Sequence, residues 1–172
     1  FLDKTFCPFE RPAGGFGDAF PYGASLWPVF LEQRFGSQTL VDIWTACEQE
    51  DFLDATDLVM SLDDTWIEFT RANALTGSHA RPGGYPDAAA YPEAPREAPN
   101  ATSVSIEGLS ARYVPLAIAD RSQITLTTTV RIAAIAFPDD GDGVELVANT
   151  ATLAPGAYQL AITGLSQNTL AT

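Results

Sequence analysis

One histidine, two cysteines and a short run of aspartates are the residues best suited to chemistry in this 172-residue chain. The histidine, His79, stands in a Gly/Pro-rich stretch. Zinc hydrolysis needs several imidazole or carboxylate ligands on a preset face and a carboxylate to activate water. A single histidine without a His-Glu-x-x-His helix cannot supply them, so His79 reads as a surface or loop-packing residue. A thiol nucleophile needs an imidazole beside it, and nothing in the spacing brings Cys7 or Cys47 to His79. There is no Gly-x-Ser-x-Gly elbow. Gly14-Gly15-Phe16-Gly17 lacks the Lys-Ser/Thr that follows a phosphate loop. No catalytic, cofactor-binding or zinc-binding residue is therefore assigned, and any chemistry must be completed by residues outside the chain.

Two weaker constellations remain. Asp139, Asp140 and Asp142 offer hard oxygen ligands at close spacing and are the candidate calcium site, though the string does not match an EF-hand loop. The bland reading of Asp139-Asp140-Gly141-Asp142-Gly143 is a hairpin turn. Cys7 and Cys47 are the candidate disulfide. Closing a loop of that length stabilises by roughly 3–4 kcal/mol in the chain-entropy model; two buried thiols are the alternative. The acid pairs Asp63-Asp64 and Glu50-Asp51 lie near expected helix ends, where they suit the helix dipole or solvate a face.

The elements that would position these groups fall into two kinds. Hydrophobic spacing predicts helices over Ser25–Phe35, Gln38–Glu48, Leu53–Met60 and Ser61–Thr76. The first carries apolar residues round most of its circumference, as a helix buried on several sides does. In the second, Leu40, Ile43, Trp44 and Cys47 form one stripe. In the fourth, Ser61 and Asp64 suggest a capping box, and Leu62, Trp66, Phe69 and Asn73 share a face. Asn73 should there hydrogen-bond to a neighbouring backbone. Trp27, Trp44 and Trp66 all read as core. Residues 78–101 are rich in Gly, Pro, Ala and Tyr and read as a connector pinned by its tyrosines.

From Thr102 the period becomes two. Val104 and Ile106, then Arg112 to Ile118, Ile124 to Val130, Val144 to Leu146, and Tyr158 to Ile162 alternate as short strands. Pro115 belongs at an edge or a bulge. The expected fold is α+β: a helical subdomain over residues 1–77, the connector, and an antiparallel Ig-like β-sandwich over 102–172.

Bulk composition narrows the partners. Hydrophobic residues make up 46% of the chain and charged ones 18%, enough for a packed core. The net charge of -13 is concentrated in residues 1–100, with 16 acids against 6 bases. Such a surface repels phosphate backbones and anionic lipids, so neither nucleic acid nor a membrane is an expected partner. No stretch approaches the ~20 apolar residues that span a bilayer. No signal peptide is visible, and the abrupt ends at Phe1 and Thr172 are those expected of a piece of a longer polypeptide.

Three blocks of residues resemble one family. The first is Tyr22-Gly23-Ala24-Ser25-Leu26-Trp27-Pro28 with Phe30-Leu31, Arg34-Phe35-Gly36 and Ile43-Trp44. The second is Phe69, Asn73, Thr76-Gly77-Ser78, Arg81, Gly84-Tyr85 and Tyr91-Pro92, and the third is Gly108-Leu109-Ser110-Ala111-Arg112-Tyr113-Val114. In order and spacing they are similar to a group of secreted zinc metalloproteases of myxobacteria and related bacteria. One departure is Ala72, where the family carries an aromatic before the Asn. The larger departure is the missing His-Glu-x-x-His and its downstream glutamate, which in the family precede this region. The resemblance implies a secreted or envelope-exterior location, zinc in the parent protein, and an N-terminal metal-binding segment and a peptide substrate as partners. This chain would then be inactive alone, its helices supporting the substrate cleft and its β-part accessory to it. The competing expectation is an exported adhesion protein whose β-sandwich binds glycan or another surface without protease activity.

Overall fold

The computed structural model describes residues 26–139 and 141–166. Four helices come first: α1 (Leu26–Phe35), α2 (Ser37–Ala46), α3 (Phe52–Val59) and α4 (Leu62–Ala74). Six strands follow: β1 (Ala111–Ile118), β2 (Ser122–Thr125), β3 (Ile132–Pro138), β4 (Val144–Glu145), β5 (Thr150–Leu153) and β6 (Gly156–Gly164). The fold is α+β, with the helical part ahead of the strands.

Helix α1 ends at Gly36, whose φ of 89° is the left-handed region that glycine reaches without strain. It buries Trp27, Phe30 and Leu31, an i, i+3, i+4 stripe. Val29 and Phe35 stay at the surface, so among the described residues α1 is covered on one side and not on several. Helix α2 also departs from expectation. Its buried direction runs through Leu40, Ile43 and Ala46, which pack on the first core cluster. Trp44 lies a 100° step round the helix from Ile43 and is 81% exposed. Cys47, the C-cap of α2, is exposed as well, so the expected stripe of Leu40, Ile43, Trp44 and Cys47 is split between inside and outside.

Helix α3 starts at Asp51, whose carboxylate accepts the N–H groups of Leu53 and Asp54 at 3.0 and 3.2 Å. These are two of the four donors that a helix start leaves unpaired. Asp51→Ala should therefore cost about 1 kcal/mol, read as a lower urea midpoint at constant slope; an unchanged midpoint would show the cap to be idle. In α4, Ser61 Oγ accepts the Asp64 N–H at 3.3 Å, the N-cap bond expected there. Leu62, Trp66, Phe69 and Asn73 are buried together. The core of the helical part is aromatic: Trp27 meets Trp66 at 5.4 Å and Phe69 edge-on at 5.2 Å between ring centroids.

The strands form a four-stranded antiparallel sheet in the order β1-β6-β3-β4 and a two-stranded sheet β2-β5. Pro115 lies on β1, an edge strand, as a residue without an N–H must. Alternation sorts the large sheet into two buried faces. Val114, Ala134, Ala136, Leu160 and Ile162 face Ala151 and Leu153 of the small sheet, with Ile124 packed alongside. Ala111, Tyr113, Ile135, Phe137 and Ala161 face the other way, with Ala74 and Leu75 at the end of α4. The order of layers is thus helices, large sheet, small sheet. Val104 and Ile106, expected as a strand, pack on the sheet core without ladder pairing. The alternation from Ile124 to Val130 yields a strand only as far as Thr125, with one further backbone bond from the Leu126 N–H to the Asn149 carbonyl at 2.8 Å.

The helical and strand parts share an interface. Tyr113 donates its hydroxyl hydrogen to the Thr70 carbonyl at 3.0 Å, and the Thr70 and Thr163 hydroxyls meet at 2.6 Å. Asp63 pairs with Arg131 at 2.8 Å and accepts the Ser166 N–H at 2.9 Å.

Candidate functional site

The only histidine sits in a polar cluster where α4 gives way to the connector. Gly77–His79 form one 3₁₀ turn, entered through Gly77 with φ of 61°. A Cβ on Gly77 would stand 2.5 Å from Glu93 Cγ, so that side chain can lie flat on the turn only above a glycine. Glu93 accepts the Ser78 N–H at 3.3 Å and a short bond from the Ser78 hydroxyl. His79 Nε2 stands 4.0 Å from the other Glu93 oxygen, and Arg96 stands 3.7 Å from it.

This arrangement orders the chain; it does not assemble a nucleophile. Ser78 gives its proton to a carboxylate, not to an imidazole. The Ser78 hydroxyl bond, aided by the Ser78 N–H and the positive charges of Arg96 and His79, holds the Glu93 carboxyl below its usual range, which makes it a poor proton acceptor. Burial, then the charge of Arg96, pushes His79 below its ordinary 6.5 against the opposing pull of Glu93. The unfolded chain therefore takes up the His79 proton at a higher pH than the folded chain does. Stability should fall as pH drops below 6.5 toward the folded-state value, and His79→Gln should flatten that part of the profile. Urea midpoints followed downward from pH 7 test this; identical slopes for both proteins would refute it.

A second cluster is buried. The Tyr85 hydroxyl donates to Asn73 Oδ1 at 2.6 Å, and the Thr76 hydroxyl donates to the Asn73 carbonyl at 3.0 Å. Asn73 thus takes a side-chain partner from the connector where a backbone partner was expected. Tyr91 leans on Tyr85 with 5.1 Å between ring centroids, so the tyrosines do pin the connector, through one buried ring and a second against it. Burial raises the ordinary values of both Tyr85 and Tyr113, so each keeps its proton and serves as a donor. The network is structural: it ties connector, helix and sheet together out of contact with solvent. The sequence marks Asn73 as a polar residue on an apolar stripe, but carries no sign of its partner twelve residues on.

A concave region of about 310 Å³ opens between α1, α4 and the Gly83–Pro86 turn. Phe30, Ala72 and Tyr85 line it, with Arg34, Glu68 and Arg71 at its margin. Its charges are engaged, Arg34 with Glu68 at 2.9 Å and Arg71 with Glu145 at 2.5 Å. Exposed pairs of this kind contribute about 0–1 kcal/mol each.

The aspartate string lies where a turn was expected, between β3 and β4. Arg81 stands over the Phe137 ring at 5.2 Å and donates to the Pro138 and Asp139 carbonyls at 2.6 and 3.3 Å. Of the candidate calcium ligands, Asp139 and Asp142 are described and Asp140 lies outside the described residues. Among the described residues no three His, Cys, Asp or Glu side chains converge to hold a metal ion, and His79 with Glu93 does not amount to a zinc site. Of the candidate disulfide, Cys47 is exposed at the end of α2 and Cys7 lies outside the described residues. No helix among the described residues is long and apolar enough to cross a membrane.

No family model, curated protein or solved structure matches this chain.

Proposed function

We propose that the chain is a non-catalytic supporting part of a secreted, zinc-metalloprotease-like protein. On this reading the metal-binding segment is contributed by polypeptide N-terminal to the chain, and α1–α3 form a seat for it. The observation that carries the reading is the distribution of surface apolar side chains. Of the eight exposed large apolar side chains among the described residues, six (Val29, Phe35, Val41, Trp44, Phe52 and Leu58) lie on these three helices, the other two being Val144 and Val147. Scattered single apolar residues on a surface need no explanation, whereas six on three successive helices suggest a surface meant to be covered. The first block of family resemblance runs through α1 and α2, the second through the end of α4 and the connector, and the third into β1, and the resemblance supplies a candidate for what would cover the helices. The strands would then serve as a brace behind α4, neither binding the metal nor cutting.

The test is to compare the chain with a longer polypeptide that carries its natural upstream residues. The longer protein should bind one zinc ion, cleave peptide substrates and protect α1–α3 from hydrogen exchange, while the chain alone does none of these. An upstream polypeptide that leaves those helices as accessible as before would refute the supporting role. One that protects them without binding zinc would refute the protease assignment.

A further inference from the structure

We infer that the small sheet takes a third strand from a partner, an extended peptide segment of alternating apolar and polar residues laid along the outer edge of β2. This inference stands apart from the protease reading, since it needs no metal and none of the helices.

The ladder fixes which groups that edge presents. β2 and β5 pair antiparallel, with Ile124 opposite Ala151 and Thr125 opposite Thr150. The Leu126 N–H continues the same register in its bond to the Asn149 carbonyl. Bonded and non-bonded pairs alternate along an antiparallel ladder, so Ile124 also bonds to β5, while Gln123 and Thr125 turn their N–H and C=O groups the other way. Among the described residues nothing bonds to those outward groups.

The remaining edges are closed or guarded. β1 carries Pro115, and the connector runs along it, the Glu97 and Asn100 N–H groups donating to the Tyr113 and Pro115 carbonyls at 2.9 and 2.8 Å. β4 is two residues long, and one of them is Glu145. On the far edge of β5 the Thr150 N–H is taken by the Val147 carbonyl at 3.0 Å. Ser122 to Val130, by contrast, reads Ser-Gln-Ile-Thr-Leu-Thr-Thr-Thr-Val, rich in β-branched residues and without a charge, proline or glycine. Open edges are normally guarded by lysine, proline or a bulge, because bare N–H and C=O groups template another strand.

Beside this edge is a cleft that an added strand would fill. It measures about 310 Å³ and lies between Thr125–Thr128, the unladdered segment Ala101–Ile106 and the large sheet. No residue of β5 lines it, so it sits on the side of β2 away from its partner. Ile132, Leu160 and Ile162 form its floor, and Val104 and Ile106 its far wall. Val104, Ile106, Leu126 and Ile132 are only half-buried round it. Its volume is roughly twice that of a ~150 Å³ cavity able to hold benzene, which is room for a pair of medium apolar side chains. The occupant follows from both features. Alternating N–H and C=O groups call for the complementary partial charges of another main chain, and the cleft calls for apolar side chains at every second position of it. A second folded copy offers the first but not the second, because its own Ile124 and Leu126 are turned to its own sheet core. The occupant is therefore an open segment.

The experiment uses the full chain and a capped, soluble peptide that alternates valine and threonine. In the chain alone, the Gln123 and Thr125 amides should exchange as openly as loop amides. With the peptide they should slow severalfold, and the resonances of Val104, Leu126 and Ile132 should shift in the same titration. The same peptide N-methylated on alternate, ladder-facing amides keeps its side chains and should bind at least about tenfold more weakly, the loss of more than one net hydrogen bond. Thr125→Pro removes an outward N–H, which an edge strand can give up without losing its inner ladder, and should weaken binding as much at an unchanged urea midpoint. The N-methylated peptide reads on the unaltered chain, so the test survives a proline variant that fails to fold. No binding at millimolar peptide would overturn the inference. Equal binding of the N-methylated peptide would overturn it by reducing the site to an apolar cavity. Self-association that protects Gln123 and Thr125 without peptide would do so by giving the edge to a second copy.

Discussion

Gly164→Ala is expected to destabilise the chain by about 3 kcal/mol, at the upper end of what one added methyl costs in a packed interior. Gly164 closes β6, the strand held between β1 and β3. Its N–H donates to the Ser110 carbonyl at 2.8 Å. Ser110 in turn closes a tight turn on itself, donating to the Glu107 carbonyl at 2.8 Å and accepting the Glu107 N–H at 3.1 Å. That turn passes through Leu109 with φ of 46° and is seated directly on Gly164. A Cβ at Gly164 would fall well inside the van der Waals radius of the Glu107 carbonyl oxygen. The obstacle is backbone, so no rotamer change relieves it. Either the turn lifts, taking the buried Leu109 with it, or β6 shifts against both neighbours. Gly36→Ala is the natural comparison, because its Cβ meets nothing and only the φ of 89° opposes it. That substitution should cost about 1 kcal/mol. Urea unfolding at constant slope distinguishes the two; a Gly164→Ala midpoint no lower than that of Gly36→Ala would show that the turn yields freely.

Local signals carried well where one partner lies within a few residues. The Ser61 cap, the Leu62-Trp66-Phe69-Asn73 stripe and the edge position of Pro115 each depend on a short-range rule, and each is in place. The failures share a physical cause. In α2, Leu40, Val41, Ile43 and Trp44 offer two adjacent apolar directions, and periodicity alone cannot choose between them. The choice is made by α1 and α3, which cover the Leu40-Ile43-Ala46 side and leave Trp44 out. The alternation at Val104 and Ile106 reports burial of one side of a segment, which an unpaired chain lying on a sheet also produces. Threonines on a helix and a strand look neutral in a sequence, so the buried contact of Thr70 with Thr163, 93 residues apart, left no trace. The polar cluster at His79 was equally hidden. Its histidine was legible as a loop residue, but Glu93 reaches it by a return of the connector that no spacing rule announces.

The same long-range contacts decide how the protein comes apart. Trp27→Ala should remove about 3–5 kcal/mol, the range for truncating a large buried aromatic. Trp27 is fully buried, and its ring lies within 6 Å, centroid to centroid, of Phe30, Trp66 and Phe69. Two of those three belong to α4, so the void opens on the helix that also faces the sheet. Against a typical net stability of about 5–15 kcal/mol, a loss of this size leaves a small margin. The question is what goes with it. The far side of α4 gives Thr70 to Tyr113 and Thr163, and its end gives Ala74 and Leu75 to the cluster around Tyr113, Ile135 and Phe137. Those sheet residues would be left facing water if α4 separated, and exposing them is a cost that the strands cannot avoid on their own. Unfolding should therefore be one transition. In Trp27→Ala, as in the parent chain, Trp66 fluorescence and hydrogen exchange at the β6 amides should share one urea midpoint, and in the variant that common midpoint should be lower. If β6 keeps its original protection while the Trp66 signal melts early, the helices and the strands are separate cooperative units.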